Sequence, residues 1–294
     1  MRIVSLLPSA TEIVYALGID DQLVGVTFEC NEPERARLEK RIVVGGKDTS
    51  DMSPADIDAY VRTQFAAGED LYTLSEGALT DLDPELILTQ DLCRVCAIPT
   101  SQVDDALEHL GCAAEVVTLD PYSLDEVLET ISVVGRHTGV EVKADEVVQS
   151  LRDRLEAVAA AVDGRLKPRV AVIEWVDPLF TGGHWIPDQV SAAGGISVGG
   201  YAGQASHAGE WSALRAESPD IVIVAPCGYG LDGAIEHAAV AAKELPGVEV
   251  WAIDGDAVVV RPGPRLVDGV EAMASIVHPN AVPPSHAVRR ITPG

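Results

Sequence analysis

The chain is expected to fold as an α/β protein: two Rossmann-like lobes with parallel central sheets, joined by one long helix. Three observations predict this. Apolar runs of β type alternate with helix-period stretches, the pattern of a parallel sheet with crossover helices. The alternation stops once, at an apolar stripe of three- and four-residue spacing over 140–162. It resumes after Gly164 and Pro168.

The elements follow in order. Arg2–Leu6 reads as the first strand. Ser9-Ala-Thr-Glu12 has the form of a capping box and opens a helix to about Leu17. Further strands read at Leu23–Thr27, Ile42–Val44, Leu86–Thr89 and Glu115–Leu119, and helices at Ser101–Leu110 and Ser123–Thr138. In the stripe, Val147, Val148, Leu151, Leu155, Val158 and Val162 share one helical face. At 1.5 Å per residue it spans about 34 Å, and Gly164 and Pro168 stop it. Beyond it, strands read at Val170–Trp175, Ile221–Ala225, Val248–Ile253 and Ala257–Val260. Helices read at Pro187–Ala193, Gly233–Lys243 and Arg265–Val277. The predicted organisation is an N-terminal lobe over 1–139, a bridging helix over 140–164 and a C-terminal lobe over 165–294. A Pro-rich tail from Pro279 shows no periodicity and is expected to be loosely ordered. A single helical bridge cannot absorb a large hinge rotation without breaking backbone hydrogen bonds. Ligand binding is therefore expected to change the lobe angle little.

Composition narrows the function. The 294 residues carry a formal net charge of −25, with a sequence pI of about 4.4. A nucleic acid or an anionic membrane surface would be repelled. Only five of the 21 basic residues are Lys, which suits a salt-rich cytoplasm and an acidic mesophile protein alike. The opening Met-Arg-Ile-Val-Ser-Leu-Leu-Pro lacks the apolar core of a signal peptide, and no run of 18 apolar residues occurs, so no membrane insertion is expected. The five cysteines are an odd number, with one C-x-x-C pair. Together these features predict a cytoplasmic protein.

Four of the cysteines stand out. Cys30, Cys93, Cys96 and Cys227 each follow an apolar β-type run, whereas Cys112 precedes one. In open α/β sheets ligands bind outside the carboxyl ends of the strands, so these four lie where a binding cleft would be. Cys93-Arg-Val-Cys96 supplies two thiolates suited to metal, to redox exchange, to a small-ligand contact or to burial. Cys30, Cys227, His184 or His207 could complete a metal site only through the fold. Glu174-Trp175 through Gly182-Gly183-His184-Trp185 leaves a strand, crosses a glycine turn and enters a helix near Pro187. Trp175 and Trp185 suit apolar cleft walls, and equally suit the core. Ala225-Pro-Cys227-Gly-Tyr229 ends another strand in small residues with a thiol and a phenol. Arg261-Pro-Gly-Pro-Arg265 places Arg261 to meet a ligand anion, or simply one of the 46 acidic side chains. There is no nucleophile elbow, no P-loop and no dinucleotide fingerprint, so the residues point to binding rather than catalysis.

Leu6-Leu-Pro8-Ser9-Ala-Thr-Glu12, Leu17-Gly and Leu23-Val-Gly25-Val resemble the opening of class III periplasmic-binding-protein-like chains, the substrate-binding proteins of cobalamin and iron–siderophore ABC importers. The similarity runs from Arg2 to about His278 and includes the long helix. Phe28-Glu29-Cys30, Gln90 to Cys96, Gly183-His184-Trp185-Ile-Pro187, Pro226-Cys227-Gly228 and Arg261 to Arg265 resemble a subgroup labelled cobalamin-binding that has no signal peptide. The resemblance implies a non-catalytic receptor with cobalamin, or a related corrinoid or metal chelate, held between two lobes. Pro8, Ser9, Glu29, Trp175, Trp185 and Tyr229 would line the site, with the thiols near the metal or a ring edge. His184 or His207 would ligate cobalt. Exported members dock on their permease through one glutamate per lobe. Glu76 matches the first position, while the second falls near Ser212, beside Glu210 and Glu217. The first lobe has no Trp, and 52–80 reads as an enlarged segment able to act as a lid. The competing expectation is a cytosolic metal-thiolate or redox protein using Cys30, Cys93, Cys96 and Cys227.

Overall fold

A computed structural model describes residues 1–292 except 48, 50, 51, 68, 70, 75–78, 80 and 93–113. Its contacts divide the chain into two units. One comprises Met1–Asp120 with Glu129–Val148, the other Pro121–Leu128 with Gln149–Gly294.

The first unit carries β1 (Ile3–Ser5), β2 (Leu23–Thr27), β3 (Arg41–Gly46), β4 (Tyr72–Leu74), β5 (Leu86–Thr89) and β6 (Glu115–Thr118), in the order β4-β3-β2-β1-β5-β6. All neighbours are parallel except β3 and β4. β1 and β5 are buried at every residue, as expected for parallel strands covered on both faces. Strand order reverses at β1, so its carboxyl end beside that of β5 is a topological switch point. Pro8 and Ser9 follow directly. They open α1 (Pro8–Ala16) differently from the expected capping box: Leu7 is the N-cap, Pro8 takes the first turn and Ser9 lies inside the helix. Proline's preset φ and missing N–H suit that first turn. A reciprocal cap forms instead at Ser53, whose hydroxyl donates to Asp56 Oδ2 at 2.6 Å and accepts from Asp56 N at 3.2 Å. It opens α3 (Pro54–Ala67), which follows the short α2 (Arg35–Glu39).

The enlarged segment is therefore partly structural. It contributes α3 and the edge strand β4, with Gly46 opposite Tyr72 and Val44 opposite Leu74. Leu79 joins Val4, Leu6, Val43, Val44 and Ile87 in the core beside this sheet.

Next come α4 (Leu124–Thr138) and α5 (Glu141–Val162). α5 has 22 residues, about 33 Å of helix, and ends before Gly164 at φ +68°. α4 and α5 approach closely: a Cβ on Gly135 would lie 2.5 Å from that of Ala144. The unit boundary cuts both helices, at Leu128/Glu129 and at Val148/Gln149.

The second unit holds β7 (Arg169–Val176), β8 (Leu179–Thr181), β9 (Ile196–Ser197), β10 (His207–Ala208), β11 (Ile221–Val224), β12 (Glu249–Ile253) and β13 (Val288–Ile291). The order is β10-β8-β7-β11-β12-β13, with β9 also on β7. β7, β9, β11 and β12 are parallel, and β8, β10 and β13 join antiparallel. Both sheets thus have parallel centres; the first has one antiparallel edge, β4, and the second has antiparallel strands at both edges. Helices α6 (Ile186–Ala192), α7 (Trp211–Ala216), α8 (Leu231–Glu244), α9 (Gly255–Val258) and α10 (Leu266–Val277) complete the unit. Its core joins Ile173, Val222, Val224 and Ala252 to Ala234, Ala238 and Ala241 of α8. Arg154 of α5 anchors to α10, donating to Glu271 at 2.7 and 2.9 Å and also to Asp268.

Two expectations fail here. Residues 257–260 are not a strand. Asp254 accepts from Ala257 N at 2.9 Å and caps α9, so a local cap overrides the β propensity of three consecutive valines. Nor is the whole tail loose: β13 pairs with β12 from Val250↔Ile291 to Ile253↔Val288 and covers an edge that would otherwise stay open. Among the described residues, no helix is long and apolar enough to cross a membrane.

Candidate functional site

The carboxyl ends of β7 and β11 adjoin at the switch point of the second sheet. β7 carries an irregularity there. Ile173 faces Thr181 and Trp175 faces Phe180 on β8, leaving Glu174 as one extra residue. Such bulges re-aim a side chain. Glu174 is only 9% exposed. Its Oε2 accepts from the Ser206 hydroxyl, and Cys227 Sγ, past the end of β11, lies 4.0 Å from Oε1 as a donor. Ser206 Oγ in turn accepts from Gly183 N at 3.2 Å.

His184 follows in the turn before α6. Its backbone is left-handed, at φ +50°, a state uncommon outside glycine although His adopts it more often than most residues. Two bonds hold it there: His184 N donates to Gln204 O at 2.6 Å, and His184 O accepts from Gly203 N at 3.0 Å. The ring lies between Tyr122 and Trp185, with centroids 5.8 and 5.6 Å away. Its Nε2 is buried and has no hydrogen-bond partner among the described residues. Burial pushes the imidazole below its ordinary value of 6.5, so the ring is neutral near pH 7 and keeps a nitrogen lone pair.

That shift predicts a pH dependence. The native state resists the proton that the unfolded chain accepts near 6.5. Stability from this group is complete above that pH and falls as pH drops below it. Urea midpoints at pH 7.5, 6.5 and 5.5 check this: His184→Gln should lose less stability on acidification than the parent.

Trp175, Tyr229 and His237 form a three-ring cluster with centroid separations of 4.7–5.9 Å. Trp175 Nε1 donates to Asp177 O at 3.1 Å. Burial, and secondarily the charge of Glu236, push the Tyr229 phenol up, so it stays a hydrogen-bond donor at neutral pH. Trp175 lies near the end of β7 and Tyr229 follows β11, close to the switch point.

Other expected site residues are placed differently. Trp185 belongs to the core: it is 5% exposed, and its indole donates to Val259 O at 2.8 Å. Arg261 pairs with Asp256 at 2.5 Å, both largely buried. Cys30 is fully buried in the first unit, with Sγ 3.1 Å from Thr11 Oγ1 and 3.3 Å from Thr27 Oγ1. Ser9 is buried within α1, and Pro8 is half-buried at its start. Glu29 is half-buried, and both carboxylate oxygens lie 3.1 Å from Tyr72 OH on β4. Tyr72→Phe is expected to lower stability by about 1 kcal/mol, the worth of one such hydrogen bond, measurable by urea denaturation. His207 stacks on Tyr201 at 5.2 Å. Cys93, Cys96, Cys112 and Glu76 lie outside the described residues.

The metal-thiolate alternative gains no support. Cys30 and Cys227 belong to different units, and each is engaged by its own neighbours. Among the described residues, no three His, Cys, Asp or Glu side chains group to hold a metal ion. Sequence reading also missed Glu174, Ser206 and Tyr122 as site residues. Glu174 opens the strand-to-glycine-turn motif, but only the bulge shows its direction. Ser206 carries no local signal beyond the glycines at 199, 200 and 203 that let its loop approach.

Known proteins share this plan. The family model described as periplasmic binding protein matches residues 3–244. An uncharacterized ABC transporter substrate-binding lipoprotein of Bacillus subtilis is 26% identical over 293 residues, covering 95% of this chain and 80% of that protein. A cobalamin-binding protein of Halobacterium salinarum is 25% identical, covering 94% and 69%. Among solved structures, the periplasmic vitamin B12 binding protein of Vibrio cholerae has a TM-score of 0.64 at 20% identity, covering 94% and 96%. A periplasmic heme binding protein of Pseudomonas aeruginosa reaches 0.70 at 21%, covering 99% and 98%. The expected cytoplasmic location is corrected by these relatives, a lipoprotein and periplasmic proteins, which act outside the cytoplasm. Opening residues and thiol counts are weak guides to compartment beside similarity along nearly the whole length. With its family model matched over most of the chain and the fold shared end to end, this protein belongs to the periplasmic binding protein family.

Proposed function

We propose that this protein is a non-catalytic receptor for cobalamin or a related corrinoid or metal chelate. The observation that carries this is His184. A neutral imidazole whose Nε2 has no hydrogen-bond partner among the described residues suits a transition-metal centre, and it is held in a constrained turn beside a switch point. Glu174, Trp175, Cys227 and Tyr229 cluster at the same strand ends. The carboxylate would accept from amide or hydroxyl groups at the chelate's edge, and the rings would pack on its apolar parts. Relatives named for cobalamin and for vitamin B12 support this ligand class, and heme-binding neighbours make heme the nearest competitor. An ABC permease is the partner the family implies, with Glu76 as the proposed docking residue of the first unit.

Calorimetry and absorbance titrations with cyano-, hydroxo- and adenosylcobalamin, and with hemin as comparator, test the reading. Binding of hydroxocobalamin with a spectral change, lost in His184→Gln, is the expected result. No heat and no spectral change for any corrinoid at about 100 μM protein rejects it, since even weak specific binding registers there.

A further inference from the structure

We propose that Ser206 is a positioning residue that joins the Glu174 carboxylate to His184, so that the two groups meet a ligand as one unit. The inference deepens the proposed function and rests on it for the ligand alone. It starts from the proton count at the hydroxyl. Ser206 has one O–H proton, which goes to Glu174 Oε2, and its oxygen receives the Gly183 N–H at 3.2 Å. The bonds therefore run one way, from the Gly183 amide through Ser206 to the carboxylate. The next residue is His184.

The loop around Ser206 is fastened to the His184 turn along its length. His184 N donates to Gln204 O, and Gly203 N donates to His184 O. His207 faces Thr181, and Ala208 faces Phe180, where the loop enters β10. A Cβ on Gly183 would lie 2.4 Å from Gln204 O, and one on Gly200 would lie 2.1 Å from Gly182 O. The two backbones are in direct contact, so the turn has little freedom to move apart from the loop. His184 keeps its left-handed φ because its N–H and C=O are both held from outside its own turn. Ser206 is where that hold meets the Glu174 carboxylate, on a strand that bulges at Glu174. A ligand donor that engages Glu174 Oε2 competes with Ser206 for that oxygen, and the displacement reaches the peptide before His184. The ligand class this fits carries amide or hydroxyl donors at its rim and an exchangeable position on its metal.

The test uses the full chain without ligand first. In ¹⁵N-histidine-labelled protein, Ser206→Ala and Glu174→Gln should both shift the His184 ring resonances. Exchange of the Gly183 amide should speed up at least tenfold, while Ser206→Thr keeps parental values. With hydroxocobalamin as probe, Ser206→Ala should then weaken binding by about tenfold and Ser206→Thr by little. Unchanged His184 resonances and Gly183 exchange in both variants overturn the proposal. If Ser206→Ala does not fold, Glu174→Gln gives the same readout. If the parent shows the coupling but does not bind hydroxocobalamin, the corrinoid reading fails and the positioning role stands.

Discussion

Gly183→Ala is expected to lower stability by about 3 kcal/mol and to abolish ligand binding. The added Cβ would lie 2.4 Å from Gln204 O, 2.5 Å from Ser206 N and 2.7 Å from Ala205 C. All three are backbone atoms, so no flexible side chain can yield. Overpacking costs about 1–3 kcal/mol where side chains adjust, and here the loop itself has to move. That movement breaks the Gly183–Ser206 bond and releases the His184 turn. Urea denaturation with calorimetry against hydroxocobalamin checks both parts. Gly203→Ala is the control. Its φ of +69° strains any L residue, but its Cβ would meet nothing within 4 Å, so a cost of about 1 kcal/mol is expected. If the two variants lose the same amount, contact between the loops is not what makes Gly183 necessary.

Gln189→Ala is expected to be as damaging, by about 3–5 kcal/mol. Gln189 lies on α6 and is completely buried. Its Nε2 donates to Val258 O at 3.1 Å and to Leu266 O at 2.9 Å, tying α6 to the end of α9 and the start of α10. Truncation leaves two buried carbonyls without these donors, at about 1–3 kcal/mol each, and opens a cavity. Gln189→Leu separates the two contributions, because it keeps the volume and loses the donors. About 2–3 kcal/mol should remain in that variant. Trp185 fluorescence reports the damage locally, since its indole bonds to Val259 O beside the same carbonyls. A thermal scan in which Gln189→Leu matches the parent would show that packing alone holds these helices.

The positions of several candidate residues at strand ends could be read before folding. Cys227 and Tyr229 follow an apolar run in a loop of small residues, Trp175 ends one, and strand ends are where open sheets bind. His184 was placed because two glycines and a proline frame it. What failed was the sorting of neighbours. Trp185 and His184 are adjacent, yet the Trp185 indole has a partner and His184 Nε2 has none among the described residues. That difference depends on Val259, whose carbonyl receives the indole from 74 residues away. Arg261 reads as a ligand anchor until Asp256 is seen to hold it. Cys30 follows a strand like Cys227, but Thr11 and Thr27 enclose it.

The sequence by itself determined the α/β class with its two units, the parallel centres of both sheets and the long helix. Each follows from periodicity, caps and breakers, which act over one to three turns of chain and are written locally. Only the tertiary structure decided the antiparallel edges β4 and β13, the bulge at Glu174, and the loop contact that brings Ser206 to it. These depend on partners tens of residues apart, Glu174 with Ser206 and Gly183 with Gln204. Pairing at that range is set by which backbones can approach once the core has packed, and no local pattern in the chain encodes it.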